Sequence, residues 1–345
     1  MNHDILLKKL EYYGIRGIAL DWFKSYLSNR KQCTEIGNLQ STFGDVKCGV
    51  PQGSILGPLL FLLYINDIVL SSEVFKFTLF ADDTSLFYSH KNKTEAVIII
   101  NQELAKISEW LAANKLSLNV GKSQLLIFSN KKNPENAGDI IMNGEKLEEV
   151  DHAKYLGVLV DNKLNWSHQI NAVNLKLSKG IGLLAKIRHY VPYGVPRSLY
   201  FSFMNPYIDY NLLNWGMAAP TNLNPLNLKL KKAMRIISFV KDSDYPSAPL
   251  FKDLKILPLT QSIEFKYAKF MWKLKNGVLP NCLSSNFTPN VRTQYSRSFS
   301  RLESVNRFIL YEGPKIWDRL PVDTTNKPSI TSFSNSLKSH FLNSL

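Results

Sequence analysis

The sequence predicts an α+β protein, with antiparallel strands and packed helices in its first part and mainly helices in its second. Two apolar runs, Lys76–Phe80 and Ser85–Tyr88, flank a short polar turn, a pattern typical of a β-hairpin. From Trp166 onward, apolar residues recur at helical spacing. A chain of 345 residues is long enough for about two domains. We therefore expect one domain at residues 1–160 and a second at residues 161–345.

Local patterns predict the order of elements within the first domain. The apolar positions of residues 3–27 indicate two helices that are interrupted around Gly14–Gly17. Residues 30–50 are typical of two short strands, and Ser54–Ile68 is apolar enough to form a buried helix. A long amphipathic helix follows Thr94, whose hydroxyl is a suitable N-cap.

The positive charge of the chain is concentrated in its second part. Residues 1–160 contain 17 Lys and Arg against 18 Asp and Glu, whereas residues 161–345 contain 25 against 10. A basic surface attracts polyanions, because Lys and Arg that neutralise phosphates release counterions. The charge of the second part by itself fits nucleic acid or an anionic membrane surface.

Other features exclude several protein classes. The most apolar stretch, Ile55–Leu70, is shorter than the roughly 18 apolar residues that a membrane-spanning helix requires. The first residues lack the pattern of a secretion signal. Cys33, Cys48 and Cys282 lack metal-binding spacing and are expected to be buried structural thiols. We therefore predict an intracellular protein of the cytoplasm or nucleus, without a transmembrane segment.

Asp82 and Asp83 are adjacent carboxylates at the apex of the predicted hairpin. Carboxylates with apolar neighbours on both sides need a partner, and a divalent metal ion is one such partner. Mg²⁺ prefers carboxylate oxygens together with substrate phosphates, and a pair of such ions supports nucleotidyl transfer. The alternative interpretation is an ordinary turn in which Asp is favoured for its backbone preference.

Four segments in a particular order carry a resemblance to a known family. They are GVPQGSILGPLLF at Gly49–Phe61, FADDT at Phe80–Thr84, NKLSLNVGKS at Asn114–Ser123 and YLGVLVD at Tyr155–Asp161. Together they resemble the motifs of reverse transcriptases (RNA-directed DNA polymerases), specifically those of jockey-type non-LTR retrotransposons. The resemblance implies a polymerase palm followed by a helical, thumb-like region that holds the template and primer.

The resemblance also implies roles for individual residues. Glycines at positions 49 and 53 leave backbone uncovered, so that the loop can approach a base pair closely, and Gln52 offers both a donor and an acceptor. Lys122 would supply charge or a proton to the departing pyrophosphate. The residues expected to bind template or nucleotide are Gly49, Pro51, Gln52, Gly53, Phe80 and Ala81. The primer grip is expected to consist of Tyr155, Leu156 and Gly157. Asp82 and Asp83 are expected to hold Mg²⁺. Tyr155 and Leu156 are equally compatible with a role as core residues of a strand.

One element of the family pattern precedes the segment that begins this sequence. In relatives, a strand with a metal-binding Asp lies before the segment that starts here at Met1, and Asp4 does not replace it. The expected palm is therefore truncated, without fingers, and its two-ion Mg²⁺ site is incomplete. The expected function is RNA-templated DNA synthesis with an RNA template, a DNA primer and deoxynucleotides. The alternative is a catalytically inactive retroelement remnant that only binds nucleic acid.

The second domain interleaves cations with aromatic residues. Such mixtures bind nucleic acid through phosphate charge and base stacking. At helical spacing, however, aromatic residues are also typical of a protein core. We expect residues 161–345 to contact nucleic acid and expect no membrane partner, and the sequence makes no prediction of the oligomeric state.

Overall fold

The computed structural model describes residues 1–129, 138–242, 244–290, 294–296 and 307–345. These residues divide into two compact units. The first unit comprises residues 1–127 and the described residues up to 150, and the second comprises residues 128–129 and the described residues from 151 to 345. The polar sequence of residues 130–138 predicts a loop, and of these residues only Gly138 lies within the described part of the chain.

The first unit combines four α-helices with short strands, as the α+β prediction requires. Its helices are α1 His3–Tyr12, α2 Ile18–Leu27, α3 Leu56–Ile65 and α4 Lys93–Ala113. Its strands are β1 Lys31–Gln32, β2 Glu35–Ile36, β3 Leu39–Gln40, β4 Gly44–Asp45, β5 Lys76–Phe80, β6 Asp83–Phe87, β7 Gln124–Leu126, β8 Ile141–Met142, β9 Glu145–Lys146 and β10 Glu148–Val150. All pairs are antiparallel except β7 with β10, which is parallel.

The first helices pack because their apolar residues recur on one face. Leu6 and Leu10 of α1 are buried together with Leu27 of α2 and with Leu60 and Tyr64 of α3. The predicted interruption at Gly14–Gly17 is confirmed, since α1 ends at Tyr12 and α2 begins at Ile18. This cluster fixes the helical layer of the first unit.

Three predicted details of the first unit are wrong. Residues 30–50 form four strands of two residues each, β1 to β4, rather than two short strands. Helix α3 is buried on one side only: Leu59 and Leu62 are half exposed, and Ile55 before the helix is 95% exposed. The N-cap of α4 is Asn92 rather than Thr94, because the Asn92 side chain accepts hydrogen bonds from the backbone N–H groups of Thr94 and Glu95. Both Asn and Thr are good N-caps, so spacing alone did not separate them.

The second unit is mainly helical and begins with a hairpin. The hairpin is β11 His152–Tyr155 and β12 Val158–Asp161, paired antiparallel. The helices are α5 Ser167–Ile187, α6 Val195–Phe203, α7 Asn205–Asp209, α8 Leu212–Trp215, α9 Pro220–Ile237, α10 Ser247–Asp253, α11 Leu259–Lys275, α12 Asn281–Ser284, α13 Ile309–Trp317, α14 Val322–Thr325 and α15 Ile330–Asn343. A short pair of strands, β13 Pro289–Asn290 and β14 Gln294–Tyr295, lies between α12 and α13.

One continuous apolar core holds the second unit together. Helices α5 and α9 pack along each other, with Leu177 of α5 and Leu226 of α9 fully buried. Met204, between α6 and α7, and Trp215 of α8 complete the centre of the core. Many of the aromatic residues of this region are therefore core residues, as their helical spacing indicated.

The structure also bears on the expectations about membrane-spanning helices and cysteine burial. No helix among the described residues is long and apolar enough to cross a membrane. The expectation of buried thiols is wrong, because Cys48 and Cys282 are exposed and Cys33 is only partly buried. Local sequence gave no indication of this exposure, which depends on tertiary packing.

Candidate active site

The hairpin of β5 and β6 places Asp82 and Asp83 at its apex. Phe80 pairs with Asp83, so that Ala81 and Asp82 form a two-residue turn. Ala81 has a φ of +51°, in the left-handed region where a residue with a Cβ is strained and glycine is ordinarily favoured. Strained backbone of this kind is concentrated at functional sites. The turn therefore carries a residue with a Cβ where glycine is ordinarily favoured, directly before Asp82.

Both carboxylates of the pair are exposed to solvent. Neither forms a hydrogen bond or an ion pair with another residue in the described part of the chain. Phe80, immediately before the turn, is also exposed. The pair is thus available to an external cation, and the hairpin presents an aromatic ring beside it.

A buried carboxylate anchors the chain that leads into this hairpin. Glu103 of α4 accepts a hydrogen bond of 2.5 Å from the Ser72 hydroxyl and forms an ion pair of 2.5 Å with Lys106. The Ser72 oxygen in turn accepts from the backbone N–H groups of Val74 and Phe75, just before β5. The hydrogen bonds from Lys106 and Ser72 hold the pKa of Glu103 below its ordinary value. Helix α4 therefore fixes the start of the carboxylate hairpin.

The glycine-containing loop before α3 has a defined conformation. Gly49 and Gly53 have φ values of +82° and +83°, which glycine adopts without strain. The Ser54 hydroxyl donates to the Pro51 carbonyl at 2.8 Å and accepts from the Gly57 N–H at 3.0 Å. Gln52 projects from this loop as an exposed side chain. The local bonds hold the loop as an open, exposed turn with uncovered backbone.

Lys122 lies in a short 3₁₀ turn, Val120–Lys122, and is exposed. This turn follows the end of α4, where the Tyr64 hydroxyl donates to the carbonyl of Asn114 at 2.5 Å. Lys122 belongs to the same unit as Asp82 and Gln52. No hydrogen bond or ion pair among the described residues links these three side chains.

The three residues expected to form the primer grip lie in the second unit. Leu156 and Gly157 form the two-residue turn of the β11–β12 hairpin, with φ values of +45° and +84°. The Tyr210 hydroxyl donates a hydrogen bond of 2.6 Å to the Leu156 carbonyl. The Tyr210 ring lies 3.5 Å from the position that a Cβ would occupy at Gly157. Tyr155 is partly buried, at the end of β11.

Sequence reasoning missed a positioning carboxylate at the end of this hairpin. Asp161 is 3% exposed and accepts hydrogen bonds from the backbone N–H groups of Lys163, Asn165 and Trp166. Gln169 of α5 accepts from the Leu159 N–H at 3.0 Å. These bonds join the hairpin to the start of α5. The only sequence signal was an Asp shortly before a helix, which is common at helix starts.

Sequence reasoning also missed a group of three possible metal ligands in the second unit. Donor atoms of Asp151, His152 and His168 all lie within 4.8 Å of one another. The two imidazole rings are stacked, with centroids 3.9 Å apart and planes inclined by 8°. The hydrogen bond with His152 holds the pKa of Asp151 below its ordinary value. A metal ion bound by a histidine lies in the plane of its imidazole ring. Because these two ring planes are nearly parallel, both histidines cannot bind one ion unless a ring rotates.

Comparisons with known proteins find a family to which the first region is similar. Residues 1–160 match the family model described as reverse transcriptase (RNA-dependent DNA polymerase). Three relatives from Drosophila melanogaster are similar to the chain. The RNA-directed DNA polymerase from mobile element jockey is 26% identical over 276 residues, which is 76% of this chain and 29% of the relative. The probable RNA-directed DNA polymerase from transposon BS is 25% identical over 79% of this chain and 31% of the relative.

A third relative gives the same result. The probable RNA-directed DNA polymerase from transposon X-element is 26% identical over 76% of this chain and 29% of the relative. The chain thus spans about three tenths of the length of these curated relatives. Residues 1–160, slightly less than half of the chain, are thus similar to the reverse-transcriptase family. More particularly, the chain resembles the RNA-directed DNA polymerases of jockey-type non-LTR retrotransposons, which confirms the resemblance found in its motifs.

Proposed function

We propose that this chain acts in RNA-templated DNA synthesis, with Asp82 and Asp83 holding divalent metal ions. The observation that carries the proposal is the exposed carboxylate pair on a strained hairpin apex within a reverse-transcriptase segment. A hydrogen-bonded hairpin restricts the motion of these carboxylates, as a metal site requires. The relatives' names support the choice of reaction.

The residues at the apex fit a hard divalent cation. Mg²⁺ prefers carboxylate oxygens and retains water and phosphate oxygens as further ligands. Such ions, when bound, activate the attacking 3′-hydroxyl and neutralise charge on the phosphates. Asp82, in the turn itself, is proposed as the direct ligand, and Asp83, at the start of β6, as the supporting carboxylate.

The other residues would bind and orient the substrates. The loop of Gly49, Pro51, Gln52 and Gly53 presents uncovered backbone and one amide to the template base or the incoming deoxynucleotide. Lys122 would place positive charge near the pyrophosphate. The turn of Leu156 and Gly157, braced by Tyr210, would support the DNA primer end. The cytoplasm or the nucleus supplies the RNA and deoxynucleotides that this function requires.

The basic second unit is proposed to bind the template and primer. Its excess of Lys and Arg predicts affinity that falls steeply with salt, because each neutralised phosphate releases counterions. Binding that does not change between low and moderate salt would contradict this part of the proposal. A blunt RNA duplex and an RNA–DNA primer-template are suitable ligands for the measurement.

Metal binding by the hairpin can be tested with Mn²⁺, whose free form gives a paramagnetic resonance signal. We expect Asp82→Ala to weaken Mn²⁺ binding at least roughly tenfold, and Asp83→Ala to weaken it less. Asp45→Ala is the matched control, since Asp45 is exposed in the same unit and pairs only loosely with Lys31 at 3.9 Å. Unchanged Mn²⁺ affinity in Asp82→Ala would contradict the metal site.

Primer extension on an RNA template separates synthesis from binding alone. Mg²⁺-dependent extension by the purified chain that is lost in Asp82→Ala supports a polymerase. Nucleic-acid binding without extension, in the wild type as in Asp82→Ala, supports the alternative function of a protein that only binds nucleic acid.

A further inference from the structure

An exposed cluster of aromatic and cationic side chains lies on the second unit, where α5 and α9 end. Its centre is Phe239, whose ring is in contact with the side chains of Arg188, His189 and Tyr193. Tyr190, which follows His189 in the chain, is included with these four residues in what is here called the aromatic platform. Tyr190 and Tyr193 are 88% and 69% exposed. Aromatic rings as exposed as these, gathered at one place, mark interaction surfaces more often than single exposed apolar residues do.

The contacts within the platform are specific. The Tyr193 ring is stacked on Phe239 with centroids 5.7 Å apart and planes inclined by 22°. The Arg188 guanidinium lies over the same ring at 5.7 Å, and the His189 ring meets it edge-on at 6.4 Å. Arg188 is held by hydrogen bonds to His189 and to the Ile236 carbonyl. The rings are therefore partly ordered before any ligand arrives.

The backbone at Phe239 gives an independent indication of function. Phe239 follows the C-cap of α9 with a φ of +58°, in a position where helices ordinarily carry glycine. A bulky residue there is strained, and Phe239 is 36% exposed rather than buried in the core. Local stability would favour glycine at this position. Strained backbone is concentrated at functional sites, and at Phe239 it places part of an aromatic ring at the surface.

The positive charge around the aromatic platform favours an anionic ligand. Residues 186–197 contain three Lys or Arg and no acid, and residues 229–241 contain five and no acid; the first acids afterwards are Asp242 and Asp244. Exposed rings surrounded by cations match a chain of unpaired bases, which stack on rings while their phosphates meet the cations. A duplex hides its base faces and offers only its phosphates to such a surface.

We propose that the aromatic platform binds single-stranded nucleic acid by stacking unpaired bases on Tyr193, Phe239 and Tyr190. Arg188 contributes both its planar group and its charge. This inference rests on the proposed function, because an unpaired template strand is the ligand that RNA-templated synthesis supplies. It adds to that function a binding site outside the carboxylate hairpin, and it specifies that the nucleic acid bound there is single-stranded.

The test uses the full chain and measures fluorescence anisotropy with labelled oligouridine, with oligodeoxythymidine and with a blunt RNA duplex. We expect Tyr193→Ala and Phe239→Gly each to weaken binding to the single strands roughly tenfold, with an unchanged salt slope, because stacking releases no counterions. Tyr193→Phe should retain affinity. Arg188→Gln should reduce the salt slope by about one. The ratio of RNA to DNA affinity shows which single strand is preferred.

Two controls separate binding from folding. Phe203→Ala removes a comparable exposed ring from α6 of the same unit and should leave affinity unchanged. Phe239→Gly should have a thermal midpoint no lower than the wild type, because glycine relieves the strain at φ +58°. A lower midpoint together with normal affinity for oligouridine would show that the ring is structural, and would overturn the inference.

The failure of this inference can be distinguished from the failure of the proposed function. In one outcome, the wild type binds both oligouridine and the duplex, and Tyr193→Ala and Phe239→Gly bind both equally well. The proposed role of the aromatic platform is then wrong, but the proposed function is not. Equal weakening of single-strand and duplex binding would also overturn it, because a duplex cannot stack its bases on the rings. If the wild type binds no nucleic acid, the proposed function fails as well.

Discussion

The Tyr210 hydroxyl donates a 2.6 Å hydrogen bond to the carbonyl oxygen of Leu156, 54 residues earlier in the chain. Leu156 has a φ of +45° in the turn of the β11–β12 hairpin, where a branched side chain is strained. The Trp215 indole N–H donates to the Tyr210 carbonyl at 2.8 Å, which fixes Tyr210 to the buried core. The core thereby stabilises a turn that the positive φ of Leu156 would otherwise disfavour.

We predict that Tyr210→Phe loosens this turn without unfolding the unit. The lost hydrogen bond is partly exposed and should reduce the free energy of unfolding by about 1 kcal/mol. Hydrogen exchange of residues 152–161, followed by mass spectrometry, should become faster. Tyr207→Phe is the control, because no hydrogen bond of the Tyr207 hydroxyl is found among the described residues. Equal exchange in wild type and Tyr210→Phe would show that Tyr210 does not hold the turn.

Asp161→Ala should be much more harmful than Tyr210→Phe. The substitution leaves three backbone N–H groups at the start of α5 without their carboxylate, at a position that is almost fully buried. Bonds to a buried charged acceptor are strong, so we expect a loss of about 3 kcal/mol in the free energy of unfolding of the second unit. Urea denaturation followed by the signal of buried tryptophans measures it. Lys163→Ala, exposed in the same turn, should change stability by less than about 0.5 kcal/mol.

These relationships show what the sequence could and could not predict. The carboxylate hairpin was predictable because strand alternation and turn residues are local signals. Strand β5 covers the expected residues, whereas β6 begins at Asp83, two residues before the expected Ser85. The bond from Tyr210 to Leu156 was not, because it joins residues that only the packing of the helices brings together. The same holds for the Asp151, His152 and His168 group, in which one ligand lies on a helix and another on a strand.

The exposed side of α3 illustrates a second limit. Its residues are apolar all round, which predicted complete burial, yet Leu59 and Leu62 are half exposed. Composition alone does not reveal which side of such a helix the rest of the fold covers. The positive φ of Phe239, conversely, could not be predicted from the sequence. Positive φ values are expected at glycine, and a phenylalanine does not indicate one.

Glu103 should make the stability of the carboxylate hairpin depend on pH. Its pKa is lowered by the hydrogen bonds from Lys106 and Ser72, so its contribution is present at neutral pH and is lost as the pH falls below 4.5 toward the lowered pKa. We predict that Glu103→Gln costs about 1 kcal/mol at pH 7 and much less at acidic pH, where the wild type is itself protonated. Hydrogen exchange of residues 72–87 in wild type and variant, at both pH values, tests this. A difference that persists undiminished at acidic pH would contradict the role of the charge.

Two glycines in one helix should respond in opposite ways to the same substitution. A Cβ at Gly180 would lie 2.6 Å from Cγ of the fully buried Met204, whereas a Cβ at Gly182 would meet nothing within 4 Å. Both lie in α5, where alanine is favoured over glycine by about 1 kcal/mol. Gly182→Ala should therefore stabilise the second unit by up to about 1 kcal/mol, while overpacking in Gly180→Ala should reverse that gain and destabilise the unit by about 1–2 kcal/mol.

The cause of that loss can be checked by a double-mutant cycle in urea. If the contact with Met204 is responsible, Gly180→Ala should cost less in a Met204→Ala background, because the shortened side chain leaves room for the new methyl group. An equal cost in both backgrounds would place the strain elsewhere. Stabilisation by Gly180→Ala alone would show that α5 and the segment carrying Met204 can separate slightly without loss, and that their close packing does not depend on glycine.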